Sequence, residues 1–529
     1  MSIRQIVDNI ISQTSEESTA MKSPNILFIQ VDQLNASSLA AYGNTFVKTP
    51  NLDRLAENGV VFETAYCNFP LCAPSRFSMA TGQLCSDIGV YDNASEMNAE
   101  IPTYAHYLRQ LGYQTALSGK MHFIGPDQYH GFEKRLTADL YPADFSWVPN
   151  WPDEGKRDTN DARSVLIAGT CARSVQIDFD EEVTFRARQH LYDIARSSDD
   201  RPFFLQVSYT HPHEPYLCRR EYWDLYDDHE ITLPTIPAMR KDQHDAHSVR
   251  LLRDFGMLDC SFKDEDILRA RRAHFGAITY IDEMIGDVLE TLRSTGADRN
   301  TVVVFTADHG EFLGERGMWF KKHFFEPALR IPLIAAAPWI EPQRVGDFAS
   351  LVDLLPTFNG LATGSVWEPA LEPLAGRDLT ACLDRSPEPS DQVILAEYLA
   401  ESALAPIFMV RRGPYKYIAS SPDPALLFDL EADPDELENL AERAEFADVL
   451  ADFEDVVAER WDEETLTERI LLSQRRRRLI LGVQKSGNSP RWNHGEIAGD
   501  EVAWYRGEQG YNEWAFDYLP ESAEPELLK

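Results

Sequence analysis

Apolar and polar positions follow two rhythms along this chain. Continuous apolar runs, Asn25–Val31 (NILFIQV), residues 113–118 (YQTALS), 203–209 (FFLQVSY) and 301–307 (TVVVFTA), are apolar on both faces and read as buried parallel strands. Helical spacing separates them. Pro102 and Thr103 open the pattern TYAHYLRQL, which Gly112 closes, and residues 264–293 place Ile267, Phe275, Ile278, Ile285, Val288, Leu289 and Leu292 near a 3.6 period before Gly296. That stripe reads as core packing. Strands alternating with helices predict an α/β fold with a large, mostly parallel sheet flanked by helices. From about residue 390 the texture changes to short alternating segments, VILAEY, FMVRR and YKYIA, which predict a smaller C-terminal antiparallel sheet with a helix.

The strand ends carry the chemistry. Four of the runs finish on Asp32-Gln33, on Lys120 and His122, on His211 and on Asp308-His309. In open α/β sheets ligands bind beyond the carboxyl ends of the strands, so residues hundreds of positions apart can share one pocket. Cys72-Ala73-Pro74-Ser75-Arg76 adds a further candidate: Pro74 fits a first helical position and Gly82 a C-terminal cap, which predicts a short helix with Cys72 at its positive end. From these facts alone a buried inert thiol remains an equal alternative.

Composition narrows the partners. The chain has 529 residues, 50 Lys and Arg against 86 Asp and Glu, and a net charge of −36, which excludes binding to nucleic acid or anionic lipid by bulk attraction. Residues 429–468 hold 17 acidic residues against two arginines, so much of the acidity lies away from the strand ends. Arg475–Arg478 read as a salt-bridged surface beside that segment. Seven cysteines with no Cys-x-x-Cys pair argue against a disulfide framework or zinc ribbon and point to a reducing, cytoplasmic setting. Residues 1–22 lack signal-peptide features, and no run reaches the ~18 apolar residues of a membrane span. The expected division is an N-terminal extension (1–22), a catalytic domain (23–388), a smaller α+β domain (389–470) and a tail (471–529) that assists oligomer formation.

The motif Cys72-Ala73-Pro74-Ser75-Arg76, with Thr81-Gly82, resembles the formylglycine-dependent sulfatase family of the alkaline phosphatase superfamily. Gly119-Lys120-Met121-His122, Thr210-His211-Pro212-His213, Ala307-Asp308-His309-Gly310-Glu311 and LFDLEADPDELENLA extend the resemblance over about residues 23–445. The stretches YDNASE, SGKMHFIGPDQYHGFE and LYPADFSW are most similar to the branch that hydrolyses choline-O-sulfate.

The resemblance implies that Cys72 is oxidised by a formylglycine-generating or equivalent maturation enzyme. The aldehyde hydrate, on a divalent cation, then attacks sulfur, the alcohol leaves, and the sulfated hemiacetal collapses. Asp32, Gln33, Cys72, Asp308 and His309 are the implied metal ligands, with Ca²⁺ or Mn²⁺ favoured over Mg²⁺ because His309 stands where an Asn is usual. Arg76, Lys120 and Lys321 supply positive charge for the sulfate; His122 assists its expulsion; His211, with Lys321, protonates the leaving alcohol. Asn93 is expected beside the nucleophile and Trp147 against a quaternary ammonium.

The expected substrate is therefore a small alkyl or aryl sulfate, choline-O-sulfate foremost, and the expected assembly a homo-oligomer, dimer or tetramer. Residues 481–519, rich in Trp and Tyr, depart from the family's closing segment and are expected to pack on a neighbouring subunit and reshape the pocket. Hydrolysis of phosphonate monoesters or phosphodiesters is the alternative activity. A catalytically silent binding protein is a further alternative, disfavoured because every expected charged position is filled. A two-zinc phosphatase is disfavoured because Cys72 replaces Ser or Thr.

Overall fold

Residues 25–31 carry no charged side chain, and the strand they form is buried along nearly its whole length. Such a strand needs a neighbour on each edge and a layer on each face. The computed structural model, which describes residues 23–153, 160–226, 231–258, 260–365, 367, 371, 373–383, 392–488, 492, 515–516 and 518–521, supplies both. The strands of the main sheet are β1 (Asn25–Val31), β2 (Val60–Tyr66), β3 (Gln114–Gly119), β4 (Lys134–Arg135), β5 (Phe203–Ser208), β6 (Thr301–Ala307), β7 (Arg330–Ile331), β8 (Leu333–Ala336) and β9 (Gln343–Ser350). They lie in the order β7-β2-β8-β6-β1-β5-β3-β4, with β9 added beside β2. The pairs β6-β1, β1-β5, β5-β3, β3-β4 and β2-β9 are parallel, whereas β7 and β8 run antiparallel to their neighbours. This is the mostly parallel sheet that the buried runs predict.

The helices that position the site are α1 (Cys72–Thr81), α2 (Tyr104–Gln110), α3 (Val175–Arg196) and α4 (Asp264–Ser294). α4 opens on Asp264, Glu265 and Asp266, which complement the helix dipole, and it packs along α3. α1 differs from expectation at its start. Its first residue is Cys72 and its cap Leu71, so Pro74 stands third in the helix, where its missing N–H is still among the unpaired four; Gly82 closes the helix at φ 65° as expected.

A second sheet is antiparallel throughout: β10 (Val393–Tyr398), β11 (Ile407–Arg412), β12 (Tyr415–Ser420) and β13 (Asp423–Asp429) in sequential order. After it come α5 (Ala447–Arg460) and α6 (Glu463–Gln484). Lys416 of β12, fully buried, reaches Glu326 at 2.7 Å, Glu436 at 2.8 Å and the Phe324 carbonyl at 2.9 Å. On α6, Arg477 forks onto Asp92 at 2.5 and 2.8 Å, and Arg478 donates to Asn150.

Residues 1–22, the 388/389 boundary and most of the 471–529 tail lie outside the described residues. The part of the tail that is described returns to its own chain: Tyr518–Leu519 pairs with Arg173–Ser174, and Glu521 meets Arg220 at 2.6 Å. Among the described residues no helix is long and apolar enough to cross a membrane.

Candidate active site

The parallel register brings the strand ends level. β1 matches β6 at Val31 with Ala307 and β5 at Gln30 with Ser208, while β5 matches β3 at Ser208 with Gly119. Asp32, Asp308, Lys120 and the 210–213 loop therefore emerge on one side of the sheet. Gly119 makes the last step possible. Its φ is 109°, and a Cβ there would lie 1.8 Å from the Ser208 carbonyl oxygen, so the close approach admits only glycine.

Arg76 ties these ends together. Its guanidinium, fully buried, donates to Asp308 at 2.8 Å, Asp32 at 3.2 Å, the Lys120 carbonyl at 2.7 Å, Ser208 Oγ at 2.7 Å and Gln30 at 3.2 Å. Burial opposes its charge, but Asp308 and then Asp32 outweigh burial and raise its pKa. These contacts brace the two carboxylates. Lys120 pairs with Asp32 and lies 4.1 Å over the Tyr141 ring. Burial alone would raise the Asp32 carboxyl, yet Lys120 and the surrounding cations hold it well below the ordinary carboxylate range.

Asp32, Cys72, Asp308 and His309 converge, their ligand atoms all within 4.8 Å of one another and all four residues buried. Cys72 Sγ is 3.3 Å from His309 Nε2. Burial pushes the Cys72 thiol up to about 11 and the His309 imidazole down to about 4, so a neutral nitrogen joins two carboxylates. This donor set fits a divalent cation. Gln33 takes another part. Its amide nitrogen donates to Glu214 at 2.5 Å and to Glu311, and its oxygen accepts from Lys321. With both ends of the amide engaged, Gln33 holds Lys321 and two acidic residues in place.

Cys72, Asn93, His122, Trp147 and Lys321 line one cavity, joined by Tyr141, Asn160, His213, Lys322 and Glu401, which sequence reasoning did not single out. Asn93 accepts the Ala73 N–H at 3.0 Å and so steadies the start of α1. Trp147 stands edge-on to His122 and to Tyr141, with ring centroids 5.6 and 5.2 Å away. Lys322 and Glu401 form a buried pair at 3.1 Å. Burial, then Lys120, lowers the His122 pKa to about 3, and both of its ring nitrogens are buried without a hydrogen-bond partner.

His211 is placed differently from its expected role. Its Nδ1 and its backbone N–H both meet Asp180 of α3, at 2.7 and 2.9 Å, and its ring stands against Tyr280, outside the cavity lining. His213, two residues on, faces the cavity with Nε2 2.8 Å from Lys321 Nζ. The signal was present in the run Thr210-His211-Pro212-His213; choosing between its histidines requires the turn after β5. Lys322 is adjacent to an expected residue and Tyr141 lies in LYPADFSW, whereas Glu401 and Asn160 carried no local signal.

A family model described as Sulfatase matches residues 24–365, and one described as N-sulphoglucosamine sulphohydrolase, C-terminal, matches residues 314–463. The choline-sulfatase of Rhizobium meliloti (strain 1021) is 43% identical over 482 residues, covering 89% of this chain and 93% of the relative. An arylsulfatase of Clostridium perfringens is 27% identical over 455 residues, covering 80% and 91%. Among solved structures, phosphonate monoester hydrolases from Silicibacter pomeroyi and Agrobacterium radiobacter superpose with TM-scores of 0.69 and 0.66 at 24% and 25% identity, covering 84% and 82% of this chain and 97% and 95% of theirs.

Proposed function

The chain belongs to the sulfatase family and is a sulfuric ester hydrolase; from that premise we propose that its substrate is a small sulfate ester with a cationic alcohol, choline-O-sulfate. The observation that carries this reading is one cavity in which Cys72 and Lys321 share a wall with Trp147, Tyr141 and the Glu401 carboxylate. Lysine and a cationic centre suit the sulfate; the Trp147 ring suits a quaternary ammonium, a cation over a ring contributing about 0.5–2 kcal/mol. The likeness to the Rhizobium meliloti choline-sulfatase supports the same substrate.

Asp32, Asp308 and His309 would hold the cation beside residue 72, and the imidazole favours Mn²⁺ over Mg²⁺. Cation and formylglycine together supply an activated oxygen nucleophile and Lewis-acid stabilisation of negative charge. Arg76 holds both carboxylates through its guanidinium. Lys321 neutralises sulfate oxygens, and burial, then Glu214, determines its state: burial lowers its pKa, while Glu214 and its other anionic neighbours raise it above the ordinary value and keep it charged. Lys321, which donates to His213 Nε2, gives the proton to the departing alcohol. His122, neutral through burial, accepts a proton near residue 72.

Relative kcat/KM on choline-O-sulfate, p-nitrophenyl sulfate and phenyl phosphonate tests the reading. Choline-O-sulfate is expected to lead by about 100-fold or more, the scale of one well-matched charged subsite; a faster phosphonate ester would overturn it in favour of the phosphonate and phosphodiester alternative, which the two structural neighbours support as a related activity. Conversion of Cys72 by a maturation enzyme is checked by a peptide mass lowered by about 18 Da, and the proposed dimer or tetramer by light scattering.

A further inference from the structure

The loop that carries Lys120 and His122 is held by a carboxylate outside the cavity. Asp139 Oδ2 accepts the backbone N–H of Met121 at 2.9 Å and of His122 at 2.7 Å, and is itself met by Arg135 at 3.1 Å. Its Oδ1 accepts the N–H of Tyr141 at 3.3 Å. One side chain, 6% exposed, therefore gathers the backbone of His122 and that of Tyr141. The Tyr141 ring stacks on the His122 imidazole with centroids 4.9 Å apart and 26° between planes.

His122 needs such support. Its φ is 60°, a left-handed conformation that is costly for a non-glycine residue and persists only where its surroundings impose it. Neither ring nitrogen has a hydrogen-bond partner, so the backbone, the stacked Tyr141 ring and the edge-on Trp147 ring orient the imidazole. The same device recurs on the next strand, where the Asp180 carboxylate accepts the N–H of Thr210 and of His211 at 2.8 and 2.9 Å.

We propose that Asp139 is a positioning residue for the hydrolysis: it fixes the His122 imidazole through the 120–122 backbone and through Tyr141, and acts on turnover only by that route. This rests on the reading that His122 takes part in the reaction. The test is a double-mutant cycle on the full-length, metal-loaded enzyme, measuring kcat and KM on p-nitrophenyl sulfate for Asp139→Ala, Asp139→Asn, His122→Ala and the double variant Asp139→Ala/His122→Ala, with folded fraction and metal content measured for each. Asp139→Ala is expected to lower kcat about 10- to 100-fold, the scale of a misplaced catalytic group, with KM within about 3-fold. Asp139→Asn, which keeps an oxygen for the two N–H groups, is expected to recover most of that loss. On the His122→Ala background the Asp139 substitution is expected to cost under about 3-fold. An equal loss on both backgrounds, or full kcat in Asp139→Ala, overturns the proposal. Wild-type turnover in His122→Ala overturns the reading of His122 beneath it, a result distinct from the other two. Should Asp139→Ala fail to fold, the cycle is run with Asp139→Asn and Asp139→Ser.

Discussion

Two buried lysines show how differently the two sheets use charge. Lys416 in the antiparallel sheet has three acceptors, Glu326, Glu436 and the Phe324 carbonyl, which matches the three donors of its ammonium group. Lys321, equally enclosed by the main sheet's strand ends, touches Gln33 and His213 and lines the cavity. Desolvating an ion costs several kcal/mol unless partners repay it. The first site repays it internally and is inert. The second has fewer partners and stands on a cavity wall with His122, whose ring nitrogens have no hydrogen-bond partner; on the reading proposed above, the sulfate group supplies the missing negative charge. Complete pairing marks structure here; incomplete pairing on a cavity wall marks chemistry.

The sharpest way to break this contrast is at residue 72. Cys72→Ala is expected to lower kcat by about 10⁴-fold or more with the melting temperature nearly unchanged; substantial residual turnover in sulfate release would remove Cys72 from the reaction. Lys416→Met probes the opposite pole. It strands the buried Glu436 carboxylate and the partly buried Glu326 and is expected to cost about 3–5 kcal/mol in chemical denaturation while kcat per folded molecule stays within about 2-fold; a kcat loss without a stability loss would reverse the assignment of roles.

Histidines away from the cavity extend the comparison to pH. Burial holds His247 and His274 near 3, below the unfolded value of about 6.5, so the unfolded chain binds more protons. Their contribution is complete above about pH 6.5 and is lost as pH falls toward 3. Denaturation midpoints are expected to drop across this window with a slope of up to about 1.4 kcal/mol per pH unit for each histidine, and His274→Gln is expected to flatten the slope. The smallest expected effect is at Trp147. Trp147→Ala is expected to raise KM for choline-O-sulfate about 2- to 30-fold, the loss of one cation–ring contact, with little change for p-nitrophenyl sulfate; equal effects on both would assign the indole to packing.

Much of this was legible in the residues. The four long apolar runs became β1, β3, β5 and β6 because strands buried on both faces carry no charged side chain, their few polar ones being hydrogen-bonded, and the charged residues that follow are placed beyond the carboxyl ends of the sheet. Cys72 was readable from a local motif. His213 was not separable from His211, because which one faces the cavity depends on Asp180, about thirty residues upstream. Glu401 and Asp139 escaped for the same reason: their significance lies in contacts with distant segments, and neither sits in a pattern that local spacing can reveal.

The burial of Cys72, 2% exposed beneath strand ends drawn from the whole sheet, has a consequence in time. His309, which closes against its sulfur, lies 237 residues downstream. At the ~5–20 residues per second of protein synthesis, roughly 10–50 s separate the emergence of the two. On the reading proposed above, an enzyme that converts this thiol would reach it only while the segment around Cys72-Ala73-Pro74-Ser75-Arg76 is still accessible, before β6 docks beside β1.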